Sequence, residues 1–259
     1  MLVGADPEVF AKRGGVYVSA HNLIPGTKDR PHPVPSGAVQ VDGMALEFNI
    51  DPADSEDEFV YNIQEVLAHL RGMVPDYEVV ADPVARFTKE YMDAQPEESL
   101  ELGCNDDWNA WSGEVNEVPD QENSFRTGAG HVHLGWTEGA DGEAHLGMCT
   151  EFVKQSDFYL GLPSVLYDDD TARREMYGKA GAFRPKSYGV EYRVLSNKWL
   201  VNEQLTRWVF KASQNCFDSM RGEKLYEKYG DIQEVINTSN KTRALEIIRA
   251  ENLLLPEVA

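Results

Sequence analysis

Short stretches of this chain alternate between apolar and polar residues. Val39 and Val41 alternate before Asp42-Gly43, and Met44, Leu46 and Phe48 alternate after it. An Asp-Gly pair between two such runs is a strong hairpin signal, because glycine accepts the positive φ of a tight turn. The spacing predicts a hairpin over AVQVDGMALEFNI. A second is predicted over residues 1–19, where LVGADPEVFAKR and VYVSA flank Gly14-Gly15. YEVVA (77–81), GHVHLGW (130–136) and GVEYRVLS (189–196) also read as strands. The period lengthens after Ser55. Phe59, Ile63, Val66, Leu67, Leu70 and Met73 fall on one helical face, and Ser55 with Glu58 forms a capping box, so 56–73 is predicted as a helix. Residues 144–161 are predicted helical, and from residue 200 the helical stretches are 201–221, 223–229 and 241–254.

Residues 20–37, rich in Pro and Gly, read as a loop. Residues 93–125 read as a long acidic irregular segment, a kind of loop that is often functional, and they hold Trp108 and Trp111. Strands come first, helices are interspersed, and the last third is helical. That order predicts an α+β fold: an antiparallel β-sheet with helices packed on one face. One domain over 1–259 is expected, with a sheet core in 1–200 and a helical part in 201–259. No internal repeat is visible.

Charge narrows the function. The 259 residues carry a formal charge of −20, which argues against binding nucleic acid phosphates or an anionic membrane. No apolar run is long enough to span a bilayer. The stretch MLVGADPEVF has an early acid and no basic region, so it does not read as a signal peptide. Cys104, Cys149 and Cys216 are odd in number and widely spaced, which suits free thiols in a reducing cytoplasm. Against the acidic background, Arg173, Arg174, Lys179, Arg184, Lys186 and Arg193 form a basic island, a candidate anion site.

The candidate chemistry clusters in a few segments. Glu191 and Arg193 are two apart, so on a strand they share a face. They either pair with each other or converge on a ligand. A carboxylate for Mg²⁺ beside an arginine for phosphate is what an ATP site needs. His131 and His133 likewise share a face, framed by Gly128, Gly130 and Gly135. No cysteine stands nearby to complete a zinc site, so a hard cation held by mixed Glu and His ligands fits better. Asp6 and Glu8 are also expected on one face of one strand, where two carboxylates call for a cation or else lie exposed on an edge. Glu47, taken alone, reads as the solvent face of its hairpin. Cys104 reads as incidental, with nothing adjacent to activate it. P-loop, dinucleotide-fold, nucleophile-elbow, zincin and protein-kinase motifs are absent.

Taken in order, GADPEVF, VDGMALEFN, LGCNDDWNAW, RTGAGHVHLG and YGKAGAFRPKSYGVEYRVLSN resemble the glutamine synthetase and glutamate–cysteine ligase superfamily. Within it they are most similar to the phage-type carboxyl–amine ligases, the amidoligases. The resemblance runs from the first motif to about residue 200. It implies an active site on an antiparallel sheet forming half of a barrel-like cleft. By motif position it implies Glu8, Glu47, His131 and Glu191 as metal ligands and His133 near the nucleotide. Arg193 falls at the phosphate-binding arginine, and Arg184 where phosphate or a substrate carboxylate is held. Lys179 and Lys186 complete the basic surroundings of the nucleotide. The family often has two glutamates on its first strand, and here one of them is Asp6.

The expected activity is therefore an ATP- and Mg²⁺-dependent ligase joining a carboxylate to an amine through an acyl phosphate. Its partners would be small-molecule or peptide substrates, and its place the cytoplasm, that of a host if a phage encodes it. A metal-dependent hydrolase using the His/Glu cluster and a non-enzymatic phage accessory protein are the competing readings. The substrates and the oligomeric state are not encoded in any motif.

Overall fold

The computed structural model describes residues 1–100, 107–117, 124–168 and 170–257. In chain order the first half forms β1 (Leu2–Ala5), β2 (Glu8–Arg13), β3 (Val16–Val18), β4 (His32–Val34), β5 (Gly37–Asp42), β6 (Ala45–Ile50), α1 (Glu56–Met73), β7 (Glu78–Val80), β8 (Val84–Arg86), α2 (Lys89–Asp93), α3 (Glu97–Leu100), β9 (Trp108–Asn109) and β10 (Phe125–Thr127). Then come β11 (Val132–Gly135), α4 (Gly142–Ser156), a π-helical turn (Asp157–Gly161), α5 (Leu162–Ser164), α6 (Thr171–Met176), β12 (Ala182–Lys186), β13 (Gly189–Tyr192), a 3₁₀ turn (Asn197–Val201), α7 (Glu203–Ser219), α8 (Leu225–Lys228), α9 (Ile232–Asn237) and α10 (Lys241–Ala250).

The fold is α+β, and its strand ladders are antiparallel. One sheet has the order β1-β11-β13-β12-β9 and a second the order β3-β2-β6-β5-β4, with β7 added on β2 and a separate β8–β10 pair. The β5–β6 hairpin turns at Asp42-Gly43, with Gly43 at a φ of 57°. The α1 cap also forms: Ser55 Oγ accepts from the Glu58 N–H, while the Glu58 carboxylate reaches the Asp54 N–H instead of that of Ser55.

Alternation gives each sheet a greasy back and a polar front. Leu46, Phe48 and Ile50 are buried behind the second sheet, against α1, and Val190 and Tyr192 behind the first, against α4. Helix α7 packs on both α1 and α4. Trp208, Val209 and Ile247 of the C-terminal helices share one continuous core with these strands.

Several expectations are corrected. The 1–19 hairpin survives only as β2–β3. Pro7 breaks the strand ahead of it, and β1 joins the other sheet. The 20–37 loop contains β4, and the 93–125 segment contains α3 and β9. The strands expected over 130–136 and 189–196 are shorter, and the helix over 144–161 ends in a π-turn. β12, α6 and α9 carry no pattern that the alternation rules detect.

Candidate active site

The site begins with the register of the first sheet. His133 on β11, Glu191 on β13 and Arg184 on β12 are direct neighbours across three strands. Facing residues on adjacent antiparallel strands have Cβ atoms about 5 Å apart and point the same way. Glu191 therefore lies among cations. Lys186 Nζ is 2.8 Å and Arg184 Nη1 3.6 Å away, and Arg193 Nη1 donates to the same carboxylate. Arg193 is held from two further sides: its Nε lies 3.3 Å from Asp107, and its guanidinium lies 5.1 Å from the centre of the Tyr177 ring.

Asp6 enters from the break in the first strand. The chain leaves β1 after Ala5, passes Asp6 and Pro7 and begins β2 at Glu8, so Asp6 follows the end of one sheet and Glu8 begins the other, yet both line one cleft. Asp6 Oδ1 lies 2.9 Å from His133 Nε2 and 3.5 Å from His131 Nδ1, and His131 Nδ1 is also 3.5 Å from Glu191. One ligand atom each from Asp6, His131 and Glu191 gathers within 4.8 Å. Burial and Arg193 push His131 down to about 3, leaving a neutral imidazole at pH 7, the form that ligates metals. Burial alone would raise the Asp6 carboxyl, but His133 and His131 hold it far below the usual range. Burial also opposes the charge on His133, and Asp6 outweighs it, so that imidazole is raised. Tyr188 hydroxyl is hydrogen-bonded to its Nδ1.

The glycines ahead of β11 allow this placement. A side chain on Gly130 would run into the Ser196 carbonyl and the Trp199 indole, and one on Gly128 into Asn197 and the Asp82 carbonyl oxygen. That close packing lets Gly130 N–H donate to Leu195 and Trp199 Nε1 donate to Gly130. It fixes the backbone one residue before His131.

The second sheet supplies the opposite wall. Glu8 and Glu47 are register partners on β2 and β6, and Gln40 donates to Glu47 at 2.7 Å from β5. The Ala129 N–H donates to Glu8 at 2.9 Å. Burial, then Asp42, raises Glu8 to about 7; burial, then Asp6, Asp42 and Glu8, raises Glu47 well above the usual range. Glu47, which alone reads as an outward-facing residue, faces the cleft because two sheets, not one, enclose it.

Two cavities open from this centre. The smaller, about 270 Å³, is lined by Glu8, Arg126, Tyr177, Arg184, Lys186 and Arg193 among others. The larger, about 780 Å³, is walled by Trp136, Tyr188, His133 and Ile50, over Gly4 and Gly135. Asp6, Lys28, Gln40 and Glu47 line both and form the waist between them.

Residues 112–235 match the model of the family described as phage phiEco32-like COOH.NH2 ligase-type 2. The matched segment is similar to the phage-type amidoligases. As its name says, the family is one of carboxylate–amine ligases, enzymes that form C–N bonds. The amidoligase match covers just under half of the chain. It includes the His131/His133 strand and the Arg184–Arg193 hairpin, while Asp6, Glu8 and Glu47 lie ahead of it. No curated protein matches the chain.

The structure thus brings Glu8, Glu47, His131, His133, Arg184, Lys186, Glu191 and Arg193 into one cleft. Lys179 is exposed and lines neither cavity. Arg173 and Arg174 leave the basic island altogether. Both are fully buried; Arg173 donates to the carbonyls of residues 193, 194 and 195, and Arg174 to Ser164 and Ser239. They are struts behind the site. Cys104 lies outside the described residues. Cys149 and Cys216 are free and buried, and burial raises both thiols. Tyr188, Trp136 and Lys28 were not singled out from sequence. Tyr188 could have been found in the two-residue turn between Lys186 and Gly189; Lys28, in a Pro/Gly-rich loop, carries no local signal.

Proposed function

We propose that this chain is an ATP- and Mg²⁺-dependent carboxylate–amine ligase that forms an amide through an acyl phosphate. The observation that carries the reading is the juxtaposition of the Asp6, His131 and Glu191 trio with Arg184, Lys186 and Arg193 in the smaller chamber of a two-chambered cleft. A carboxylate is a poor electrophile, and phosphorylation converts it into a species an amine can attack. Phosphoryl transfer depends mostly on positioning and charge neutralisation, and this constellation offers both.

The residues fit a hard divalent cation. His131 Nε2 is buried without a hydrogen-bond partner, a costly arrangement unless a ligand takes it up. Asp6, His131 and Glu191 would hold one Mg²⁺. Glu8 and Glu47, paired in register with both carboxyls raised, are the natural acceptors of further cation charge. When bound, Mg²⁺ supplies charge neutralisation for the phosphates.

The larger cavity suits the nucleotide. Trp136 and Tyr188 offer aromatic faces, and Gly4 and Gly135 leave a floor without side chains. His133 stands between that chamber and the trio. The smaller cavity, with Arg193, Arg184 and Arg126 on its walls, suits a small-molecule or peptide carboxylate and then the amine. The charge of −20 argues against a nucleic acid partner. Among the described residues no helix is long and apolar enough to cross a membrane.

The experiment is calorimetric titration of the full chain with a non-hydrolysable ATP analogue, with and without Mg²⁺, on wild type and on Glu191→Ala. Mg²⁺-dependent binding that is lost in the variant supports the reading. A folded wild type that binds no nucleotide sinks it.

A further inference from the structure

The cations that the resemblance points to and that line the cleft, Arg184, Lys186 and Arg193, come from β12 and the residue after β13, on one side of the cleft. The other side is not neutral. Among the described residues, Lys28 is the only lysine or arginine lining the larger cavity, and it also lines the smaller one. It therefore stands at the waist, facing the Arg184–Lys186–Arg193 group across the cleft.

Its loop presents it deliberately. Thr27 and Arg30 exchange two backbone hydrogen bonds of 3.0 Å, a tight turn with Lys28 as the first residue inside it. The turn is fastened to the second sheet by Val41 N–H donating to the Gly26 carbonyl at 3.3 Å. Gly26 has a φ of 96°, and a Cβ there would meet the His32 nitrogen at 2.8 Å and abut the Val39 carbonyl. Only a residue without a side chain fits, so the turn cannot drift from β5.

Lys28 Nζ lies 3.1 Å from Asp42. Burial works against its charge, but Asp42, Glu47 and Glu8 outweigh it and hold its pKa above the ordinary lysine value. The ammonium is half exposed and pairs with the Asp42 carboxylate, so exchanging it for a phosphate oxygen needs only a side-chain rotation.

We propose that Lys28 is a catalytic residue that binds the γ-phosphoryl group of the nucleotide from the side opposite Arg184, Lys186 and Arg193. This deepens the ligase reading and rests on it. In the transfer, an oxygen of the substrate carboxylate donates an electron pair to the γ-phosphorus. The bond from that phosphorus to the β,γ-bridging oxygen breaks, and its electron pair leaves with ADP. The equatorial oxygens carry the charge between donor and acceptor. A cation common to both chambers can follow the group from one to the other.

The test compares two probes, Mg²⁺ with a non-hydrolysable ATP analogue and Mg²⁺ with ADP, on wild type, Lys28→Met and Lys28→Arg, by calorimetry on the full chain. A charge-assisted hydrogen bond to the γ-phosphate predicts that Lys28→Met loses about tenfold in affinity for the triphosphate. The ADP affinity should stay within about twofold, and Lys28→Arg should retain most of the triphosphate binding. Equal loss for both nucleotides, or loss for neither, overturns the assignment. Wild type that binds neither nucleotide instead overturns the ligase reading itself, and Lys28 falls with it.

Discussion

Glu8 and Glu47 stand directly opposite each other, one on β2 and one on β6, at the base of the cleft. Two partly buried carboxyls in this arrangement repel when ionised, and a divalent cation relieves the repulsion. Mg²⁺ should therefore stabilise the folded protein. The expected result is a melting temperature that rises by several degrees in millimolar Mg²⁺, in line with ligand-linked stabilisation of about 1–3 kcal/mol. Glu47→Gln should melt at or above the wild-type temperature without the cation and respond less to it. Differential scanning fluorimetry across a Mg²⁺ series decides the point, and an identical response in both proteins would count against these ligands.

Glu191 is the anion that keeps Arg184, Lys186 and Arg193 together. Its removal leaves three cations facing one another in a largely buried place. Breaking a buried ion pair costs about 3–5 kcal/mol. Glu191→Ala should lose stability on that scale, and inorganic phosphate should restore part of it by taking the carboxylate's place. Urea unfolding with and without phosphate measures both effects. A variant as stable as wild type, or one indifferent to phosphate, would show that the cations are not converged.

Asp157 sits in the π-turn, fully buried, and accepts from Trp111 Nε1 and the Tyr192 hydroxyl, each at 2.7 Å. Burial pushes its carboxyl up to about 6, against the lowering pull of those two donors. The folded state therefore binds this proton more tightly than the unfolded state. Its contribution to stability is fully present below about pH 4 and is lost as pH rises through about 6, a swing on the order of 3 kcal/mol. Asp157→Asn keeps an acceptor and removes the titration. Relative to wild type it should gain stability between pH 4 and pH 7. Chemical denaturation at the two pH values is the measurement, and parallel pH profiles would refute it.

Gly130 allows the backbone before His131 to pack against Ser196 and Trp199. Gly130→Ala forces a side chain into that contact, and overpacking of this kind costs about 1–3 kcal/mol. The same shift displaces His131, so Mg²⁺-induced stabilisation should shrink along with the basal melting temperature. Gly72→Ala, in a helix with open space around it, is the control and should not destabilise.

Much of this protein is determined by its sequence alone. The α+β class follows from period-two strands alternating with period-3.6 helices, and local rules place the Asp42-Gly43 hairpin and the α1 helix with its Ser55 cap. The chemistry of His131, His133, Glu191 and Arg193 is also readable, because i and i+2 on a strand share a face whatever the rest of the chain does. Tertiary structure decided the rest, since the deciding distances lie between segments far apart in the chain. Pro7 separates β1 from β2, so Asp6, just past the end of β1, joins His131 and Glu191 while Glu8, on β2, meets Glu47. Glu47 faces a cleft rather than solvent only because the second sheet closes against the first. The basic island looks uniform in sequence, but Arg173 and Arg174 turn inward to bond carbonyls and Lys179 turns outward. Lys28 reaches the waist of the cleft because a 27–30 turn is fastened to β5, a contact that no local pattern records. Alternation specifies which face a side chain takes; only the packing of two sheets specifies what that face meets.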